Sequence, residues 1–294
     1  MLWAVFTLIA AAAQTARNAM QRELTATLGT VGATHVRFLF GFPFALLFLA
    51  GVMVVTGAEL TSPPSMFWPW VLVGAFTQIA ATATMLSVMG QRSFVVAYAY
   101  IKTEPVHVAL FGLIFLGDKV TPLSAAAILL ATTGVIVISL KAGAGEARST
   151  RSTIVGLLSG ALFGLSAIGY RGAILSLHLP NFVVAATFTV TVGLVIQAAA
   201  LSLYLALRDA KVLRAIARAW KPSLFAGFMG AFASEFWFLA FAITTAANVR
   251  TLALVEVLFA QGVTHFVFKQ PTTTRESIGI VMVVIGVALL VWAY

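Results

Sequence analysis

The chain has 294 residues, of which 61% are hydrophobic and only 9% are charged, and its formal net charge is +9. This composition excludes an ordinary water-soluble domain, and the absence of cysteine excludes disulfides, thiolate metal sites and cysteine nucleophiles. The basic residues are expected in loops, where they orient membrane helices, so we expect no nucleic-acid partner.

Apolar runs long enough to cross a bilayer follow one another along the chain, since a span takes about 20 residues. Ten such spans are predicted, near 2–18, 34–55, 67–90, 94–116, 122–140, 153–174, 181–207, 221–245, 247–268 and 276–294. The first run lacks a basic leader segment and is interpreted as a retained helix. The predicted fold class is an all-α membrane protein with ten transmembrane helices and the lipid bilayer as its surroundings.

Polar side chains recur along one face of the first span. Gln14 and Asn18 are four residues apart and continue a stripe that begins at Thr7 and ends at Gln21. The third span carries Gln78 and, four residues later, a threonine. Such residues either line a cavity or hold membrane helices together.

The fourth span carries charges in the middle of the apolar stretch "SFVVAYAYIKTEPVHVALFGLIFLGDK". Glu104 lies ten residues beyond the start of this span, roughly 15 Å deep at the helical rise, and Tyr100 and His107 share its face. A charged residue at mid-bilayer costs about 2.5–3.5 kcal/mol on insertion scales, so it normally faces protein or water. Lys102 is two residues from Glu104 and points to nearly the opposite side.

The partners of these two charges must therefore lie elsewhere, and three candidates remain open: Arg37, Glu235 and Glu256. Pro105 removes a backbone donor and predicts a kink or hinge beside Glu104. We expect Glu104 to bind a cationic group of a substrate or a proton. Lys102 is expected to hold an internal anion.

The two halves of the chain repeat each other at a shift of 152 residues. Trp68 then meets Trp220, Glu104 meets Glu256, and Gly134 meets Gly286. The predicted organisation is a first five-helix repeat over 1–141, a linker over 142–152 and a second repeat over 153–294. Five helices per repeat make the second inverted relative to the first, which places a substrate site near the midplane at the repeat interface. The shift adds Ser166, Tyr170 and Trp237 to the candidate lining.

Basic residues concentrate in the odd-numbered loops. These residues are Arg22, Arg92, Lys141, Arg148, Arg151, Arg208, Lys211, Arg214, Arg218, Lys221, Lys269 and Arg275, whereas the even loops hold Lys119 and, at a helix edge, Arg250. By the positive-inside rule the odd loops are cytoplasmic and both termini lie outside. Reporter fusions at residue 60 and residue 215 are expected to report outside and inside respectively. The reverse result would contradict both the topology and the inverted repeat.

The end of the first half carries a recognisable pattern, "TEPVHVALFGLIFLGDKVTPLSAAAILLATTGVIVI". With Pro105, Gly117-Asp118 and Gly134, this pattern resembles that of the EamA-type drug/metabolite transporter superfamily of ten-helix exporters. The resemblance extends over the whole chain. The second half departs from this pattern, since Val257 stands in place of the proline. The resemblance implies export of small metabolites, including amino acids, through a central cavity by alternating access.

The predicted function is thus a secondary exporter of amino acids or similar amphipathic compounds in a bacterial cytoplasmic membrane, without enzymatic activity, cofactor or metal. The candidate site residues are Tyr100, Lys102, Glu104, His107, Glu256, Gln14, Asn18, Gln78, Ser166, Tyr170 and Trp237, with Pro105 as the hinge. A channel or an uptake permease remains the alternative. An intramembrane serine protease is a remote one, from "GLSA" around Ser166 and from His265. The fifth and tenth helices are expected at the periphery, where they could form a homodimer.

Overall fold

The computed structural model describes residues 1–59, 62–91, 100–139, 150–259 and 273–293, and these segments are helical with short connections. The helices are α1 (Leu2–Leu39), α2 (Phe42–Thr56), α3 (Phe67–Gln91), α4 (Glu104–Phe111), α5 (Pro122–Ser139), α6 (Thr150–Ser176), α7 (Phe182–Arg208), α8 (Ala210–Arg218), α9 (Trp220–Ile243), α10 (Ala246–Leu252) and α11 (Thr274–Trp292). Within the described ranges, seven helical segments are long and apolar enough to cross a membrane. The chain is therefore an all-α, multi-pass membrane protein.

Helix α1 extends well beyond the first predicted span. The predicted connection between the first two spans is helical except at Gly29, whose φ of 68° and ψ of 175° lie outside the helical region. A positive φ favours glycine, since it has no Cβ to clash with the backbone. Residues 19–28 are more polar than a span but still good helix formers, so hydropathy marked the end of the apolar run and not the end of the helix.

The second predicted span is interrupted near its start. Phe40 and Gly41 form a turn between α1 and α2, and Pro43 follows in the first turn of α2. Proline lacks the N–H that a continuing helix would need and is well tolerated only in the first turn. The break therefore falls where the sequence places its helix breaker.

Long helices pack in pairs. The most extensive contacts join α3 to α6, α1 to α9, and α5 to α11, while α2 packs against α7. Large apolar side chains remain exposed on the outer surface, including Leu47, Val54 and Leu203. Such an exposed apolar surface is what a bilayer accommodates and water does not.

Glycines bring α5 and α11 into backbone contact. A Cβ at Gly134 would lie 2.8 Å from the carbonyl oxygen of Gly279, and a Cβ at Gly279 would lie 2.7 Å from that of Gly134. Small residues allow this close approach between membrane helices. These glycine faces therefore serve packing within one chain. A homodimer would have to use the outward faces of the same two helices, and it stays a prediction.

Candidate functional site

Two interrupted helices meet in the middle of the protein. Helical backbone at residues 100–101 gives way to a turn at Lys102 and Thr103, and α4 then begins at Glu104 with Pro105 in its first turn. The missing N–H of Pro105 deprives the carbonyl of Ile101 of its helical donor. The hydroxyl of Thr103 donates to the carbonyl oxygen of Tyr100 at 2.7 Å, which satisfies one acceptor beside the break.

The second interruption lies on the neighbouring helix. Helix α10 ends at Leu252, and the backbone tightens into a 3-10 turn over Ala253–Val255 before Glu256. Helices α4 and α10 pack against each other. Because the 3-10 turn is followed directly by Glu256 and the other break directly by Glu104, each interruption places a glutamate at its exit.

Each glutamate pairs with a cation from the opposite interrupted helix. Lys102 Nζ contacts Glu256 Oε1. Arg250 Nε lies 3.0 Å from Glu104 Oε1. All four side chains belong to residues only 4–8% exposed. The two pairs therefore form one buried group of four charges that joins α4 and α10.

The partner of Glu104 was not identified from the sequence. Of the three open candidates, Glu256 pairs with Lys102, whereas Glu104 binds Arg250, which the sequence interpretation placed at a helix edge. Arg250 is the fifth residue of α10 and is buried. Arg250 lies six residues before Glu256 in the same predicted span, roughly 9 Å along a helix. This closeness to a buried glutamate was the feature of the sequence that could have placed Arg250 in the charged group.

Arg250 is held by aromatic rings as well as by Glu104. Its guanidinium carbon lies 4.4 Å from the centroid of the Trp237 ring and 5.3 Å from that of Phe241. Such cation–π contacts gain strength when they are desolvated. Trp237 Nε1 in turn donates to Gln14 Oε1 at 3.1 Å. Gln14 and Trp237 therefore belong to the same assembly as the ion pairs.

A small cavity adjoins these charges. Its volume is about 20 Å³, and its lining residues are Gln14, Arg17, Asn18, Met85, Ile101, Lys102, Glu104, Phe163 and Arg250. Arg17 Nη2 donates to Asn18 Oδ1 at 2.7 Å. Arg17 was missed by the sequence analysis although it lies between Gln14 and Asn18 on the same helical face. A cavity of this size holds about one water molecule.

Three other predicted site residues lie where α3, α6 and α7 meet. Ser166 Oγ donates to the carbonyl oxygen of Gly74 at 2.9 Å. Gln78 Oε1 accepts from Gln197 Nε2 at 2.9 Å and from the Tyr170 hydroxyl at 3.4 Å. These bonds hold the helices together, as polar side chains do in membrane proteins. The structure thus places Gln78, Ser166 and Tyr170 outside the residues that line the central cavity.

Tyr100 and His107 lie on the side of the interrupted helix that faces α6. The Tyr100 hydroxyl accepts from Thr153 Oγ1 at 3.1 Å, and His107 Nδ1 donates to the carbonyl oxygen of Thr103 at 3.1 Å. Glycines of α6 make room for them, since a Cβ at Gly164 would lie 3.1 Å from the Cβ of His107. Both side chains therefore pack at the break, beside the ion-paired group.

Of the two residues proposed for a serine protease, Ser166 lies in the described part of the chain. Ser166 is buried and donates its hydroxyl hydrogen to a backbone carbonyl. His265 lies outside the described residues. A nucleophilic serine instead needs a base within hydrogen-bond reach. The geometry around Ser166 is that of a helix contact.

The cavity assignment predicts selective chemical labelling. Because the chain has no cysteine, single cysteines can be introduced at Asn18 and at Ser166 and treated with a water-soluble thiol reagent. We expect the cysteine at Asn18 to react faster than the one at Ser166, since Asn18 lines a cavity that a reagent can enter once it widens, whereas Ser166 is bonded between α3 and α6. Equal labelling at both positions would contradict the separation of cavity and helix contact.

Comparisons with known proteins agree with this architecture. Residues 1–140 match the sequence model described as the EamA-like transporter family. A solved structure titled "Crystal structure of protein" covers 99% of this chain and 95% of its own, with a TM-score of 0.71 and 13% sequence identity. At that identity the likeness shows the fold alone. No curated protein sequence matches the chain.

Proposed function

We propose, from the match of residues 1–140 to the EamA-like transporter family, that the protein is a ten-helix secondary transporter of two inverted repeats. It exports small metabolites from a bacterial cytoplasm by alternating access. That match supports a membrane transporter in the broad sense. The repeat, the direction of export and the substrates are our proposal.

Helix packing supports the inverted repeat. A shift of 152 residues converts the first span into the sixth, the third into the eighth and the fifth into the tenth. The contact between α1 and α9 in one half then corresponds to the contact between α6 and α3 in the other. The shift exchanges α5 and α11, so their mutual contact corresponds to itself. A pseudo-two-fold axis would produce this set of contacts. The same shift converts the turn at Lys102 and Thr103 into part of the 3-10 turn at Ala253–Val255.

The crossed ion pairs carry the functional proposal. Lys102 binds Glu256 and Arg250 binds Glu104, so each pair joins the first repeat to the second. Interrupted helices that meet at the midplane are the usual location of substrate sites in inverted-repeat carriers. Because the cavity beside them holds only about one water molecule, a metabolite can bind only if the repeats move apart.

An ion pair at one end of the protein supports an alternating mechanism. Arg171 Nη2 lies 3.4 Å from Asp118 Oδ1, and Arg171 Nε donates to the carbonyl oxygen of Thr244 at 3.1 Å. In the predicted topology these residues lie at the outer end of the helices. The contacts join the ends of α6, α9 and the fourth span, so they close the outer side of the cavity.

Removal of this outer contact should open the cavity to the outside. We expect Asp118→Asn to raise the rate at which an external thiol reagent labels a cysteine at Asn18, because the substitution removes the carboxylate that holds Arg171. Glu59→Gln is the matched control, since Glu59 is an exposed acid in the predicted outer loop between α2 and α3. An unchanged labelling rate in Asp118→Asn would contradict the proposed outer closure.

Amino acids and similar amphipathic compounds are the proposed substrates. Trp237 and Phe163 supply apolar surface, Gln14 and Asn18 supply amides, and the ion pairs supply both signs of charge. The alternatives are a channel and an uptake permease. Reconstituted protein loaded with unlabelled amino acids should accumulate labelled amino acid by counterflow, which a channel cannot support. Absence of counterflow with continued downhill flux would favour the channel.

A further inference from the structure

A second cavity, the outer cavity, lies at the end of the protein that carries the contact between Asp118 and Arg171. Its volume is about 150 Å³, against about 20 Å³ for the central cavity. A cavity of about this volume can hold a molecule the size of benzene. The polar residues that line it are Asp118, Lys119, Thr121, Ser124, Thr245 and Asn248. The outer cavity therefore has room for one small metabolite and a polar wall to bind it.

The outer cavity adjoins the central group of charges. On α10, Asn248 lines the outer cavity and Arg250 lines the central one, and two residues span roughly 3 Å along a helix. On α4, Ala109 lines the outer cavity and Glu104 the central one, roughly 8 Å apart along the helix. A compound that leaves the central group toward this end of the protein therefore reaches the outer cavity next.

The Gly117-Asp118 pair of the sequence pattern builds one wall of the outer cavity. Gly117 follows the last helical turn of the fourth span with a φ of 66°, a conformation that favours glycine. Asp118 N donates to the carbonyl oxygen of Gly112 at 3.0 Å. A Cβ at Gly112 would lie 2.8 Å from Asp118 Oδ2, so the carboxylate lies directly against the helix. The carboxylate is thereby fixed between Arg171 and the outer cavity.

One part of the wall can bind an anionic group. Lys119 supplies a positive charge. Thr121 Oγ1 donates to Ser124 Oγ at 3.0 Å, so the hydroxyl of Ser124 is used there as an acceptor and keeps its own hydrogen for a ligand. An ammonium group and a hydroxyl together suit a carboxylate, since hydrogen bonds to ionised groups are the strong ones.

Another part of the wall can bind a cationic group. Asp118 supplies a negative charge, and the amide of Asn248 donates through Nδ2 to Thr244 Oγ1 at 3.2 Å, which leaves Asn248 Oδ1 as an acceptor. Ile128 and Leu290 add apolar surface. The outer cavity thus offers partners for both charges of a zwitterion and for a small apolar side chain.

From this arrangement we infer that the outer cavity is a second binding site for the transported zwitterions, which they occupy before release to the outside. The carboxylate of an amino acid lies at Lys119 and Ser124, and its ammonium group lies at Asp118 and Asn248. The inference rests on the proposed transport function and adds a site to it. An ammonium group at Asp118 competes with Arg171 for one carboxylate, so a compound in the outer cavity weakens the contact that closes the outer side.

Protection of an introduced cysteine tests this site on the purified full-length protein in detergent. Because the chain has no cysteine, Val120→Cys places a single thiol on the wall of the outer cavity. The rate of its reaction with a water-soluble thiol reagent is measured with alanine, leucine and phenylalanine, and with analogues of each that lack the carboxylate or the ammonium group. At least one amino acid is expected to slow the reaction.

The analogues of that amino acid should need at least about tenfold higher concentrations for equal protection, as expected when one charge-assisted contact is lost. Equal protection by an amino acid and by both of its analogues would overturn the inference. So would a lack of protection by every amino acid.

A lysine variant assigns the protection to the wall of the outer cavity. We expect Lys119→Gln to raise the amino acid concentration needed for half-protection by at least about tenfold. Lys119 is exposed, so its substitution should leave the fold intact. Lys211→Gln is the matched control, since Lys211 is an exposed lysine of α8 at the predicted inner end. Unchanged protection in Lys119→Gln would contradict the site.

A variant of the central group separates direct protection from protection transmitted through the protein. Glu104→Gln combined with Arg250→Gln removes the central ion pair between these residues but leaves the polar wall of the outer cavity in place. Protection of the cysteine at Val120 should persist in this variant. Its loss in the folded protein would show that the amino acid acts from the central cavity, and the inference would fail.

Lipid vesicles and flux measurements distinguish the other outcomes. Protection by phosphatidylethanolamine vesicles, with none by amino acids, would assign the outer cavity to a lipid headgroup and overturn the inference. If an amino acid protects the cysteine but no compound shows counterflow in proteoliposomes, the transporter proposal fails and the binding site stands. If an amino acid shows counterflow without protecting the cysteine, transport stands and the second site fails.

Discussion

Glu104→Gln is expected to abolish transport. The substitution keeps the shape and hydrogen-bonding capacity of the side chain but removes the charge that binds Arg250 across the repeat interface at 3.0 Å. A loss of about 3 kcal/mol of interaction in the transport cycle corresponds to a roughly 100-fold slower flux. Counterflow per folded molecule in proteoliposomes measures this directly.

The ion pair between Glu104 and Arg250 could instead serve only to join the two helices. A double variant distinguishes this structural role from a role in transport. Glu104→Gln alone leaves Arg250 buried without its carboxylate and should cost about 3–5 kcal/mol of stability. Glu104→Gln combined with Arg250→Gln removes both charges, so the thermal unfolding midpoint should recover. If Glu104 serves the substrate or a proton, the double variant folds but does not transport. Wild-type flux in the folded double variant would show that the pair merely joins helices.

The sequence could predict the depth of the charged residues but not their pairing. Glu104 and Glu256 stand ten and nine residues from the start of their predicted spans, so the cost of burial and the internal repeat pointed to both. Which cation each glutamate binds depends on how the two interrupted helices are rotated against each other. That rotation follows from the turn at Lys102 and the 3-10 turn at Ala253–Val255, neither of which hydropathy encodes.

The burial of Arg17 and of Arg250 was not predicted from the sequence, for related reasons. Both lie within a turn or two of a predicted span end, where a basic residue usually reaches the interface. In the structure α1 continues as a helix past the predicted end of its span, so Arg17 is in the protein interior. Arg250 is covered by Trp237 and Phe241 from α9. The boundaries of the predicted apolar runs therefore did not show how deeply Arg17 and Arg250 are buried.

Polar residues that repeat between the two halves were likewise ambiguous. Ser166 and Gln78 are polar residues on one face of an apolar span, as Gln14 and Asn18 are. Their side chains nevertheless bond to backbone and amide groups where α3, α6 and α7 meet. A polar side chain that bonds to a neighbouring helix satisfies the same spacing rule as one that lines a cavity. Spacing along one helix cannot distinguish these roles, since both depend on the second helix.

Gly160→Val is expected to lower both stability and transport, because Gly160 packs directly against the backbone of the interrupted helix. A Cβ at this position would lie 3.0 Å from the carbonyl oxygen of Ile101 and 3.1 Å from Thr103 Oγ1. Ile101 O is the acceptor that Pro105 leaves without its helical donor. Gly156 and Gly164, one turn away on either side, make similarly close contacts with Tyr100 and His107.

The three glycines form a groove on α6 that fixes where the turn at Lys102 lies. Added methyl groups must push α6 away from the break, at a cost typical of overpacked cores, about 1–3 kcal/mol. Displacement of the turn would also separate Lys102 from Glu256, so we expect transport to be lost even where the protein still folds. Gly160→Ala should show the same effects in weaker form.

Gly51 provides the matched control, because it is also a helical glycine but has nothing within 4 Å of an added Cβ. Removing glycine from a helix interior stabilises it by about 0.5–1 kcal/mol, so Gly51→Ala should keep or raise the thermal unfolding midpoint and keep normal flux. Gly160→Ala should lower both, since the steric cost exceeds this gain. If Gly160→Ala matched Gly51→Ala in stability and in flux, the groove would not position the interrupted helix, and the crossed ion pairs would have to be set by α10 alone.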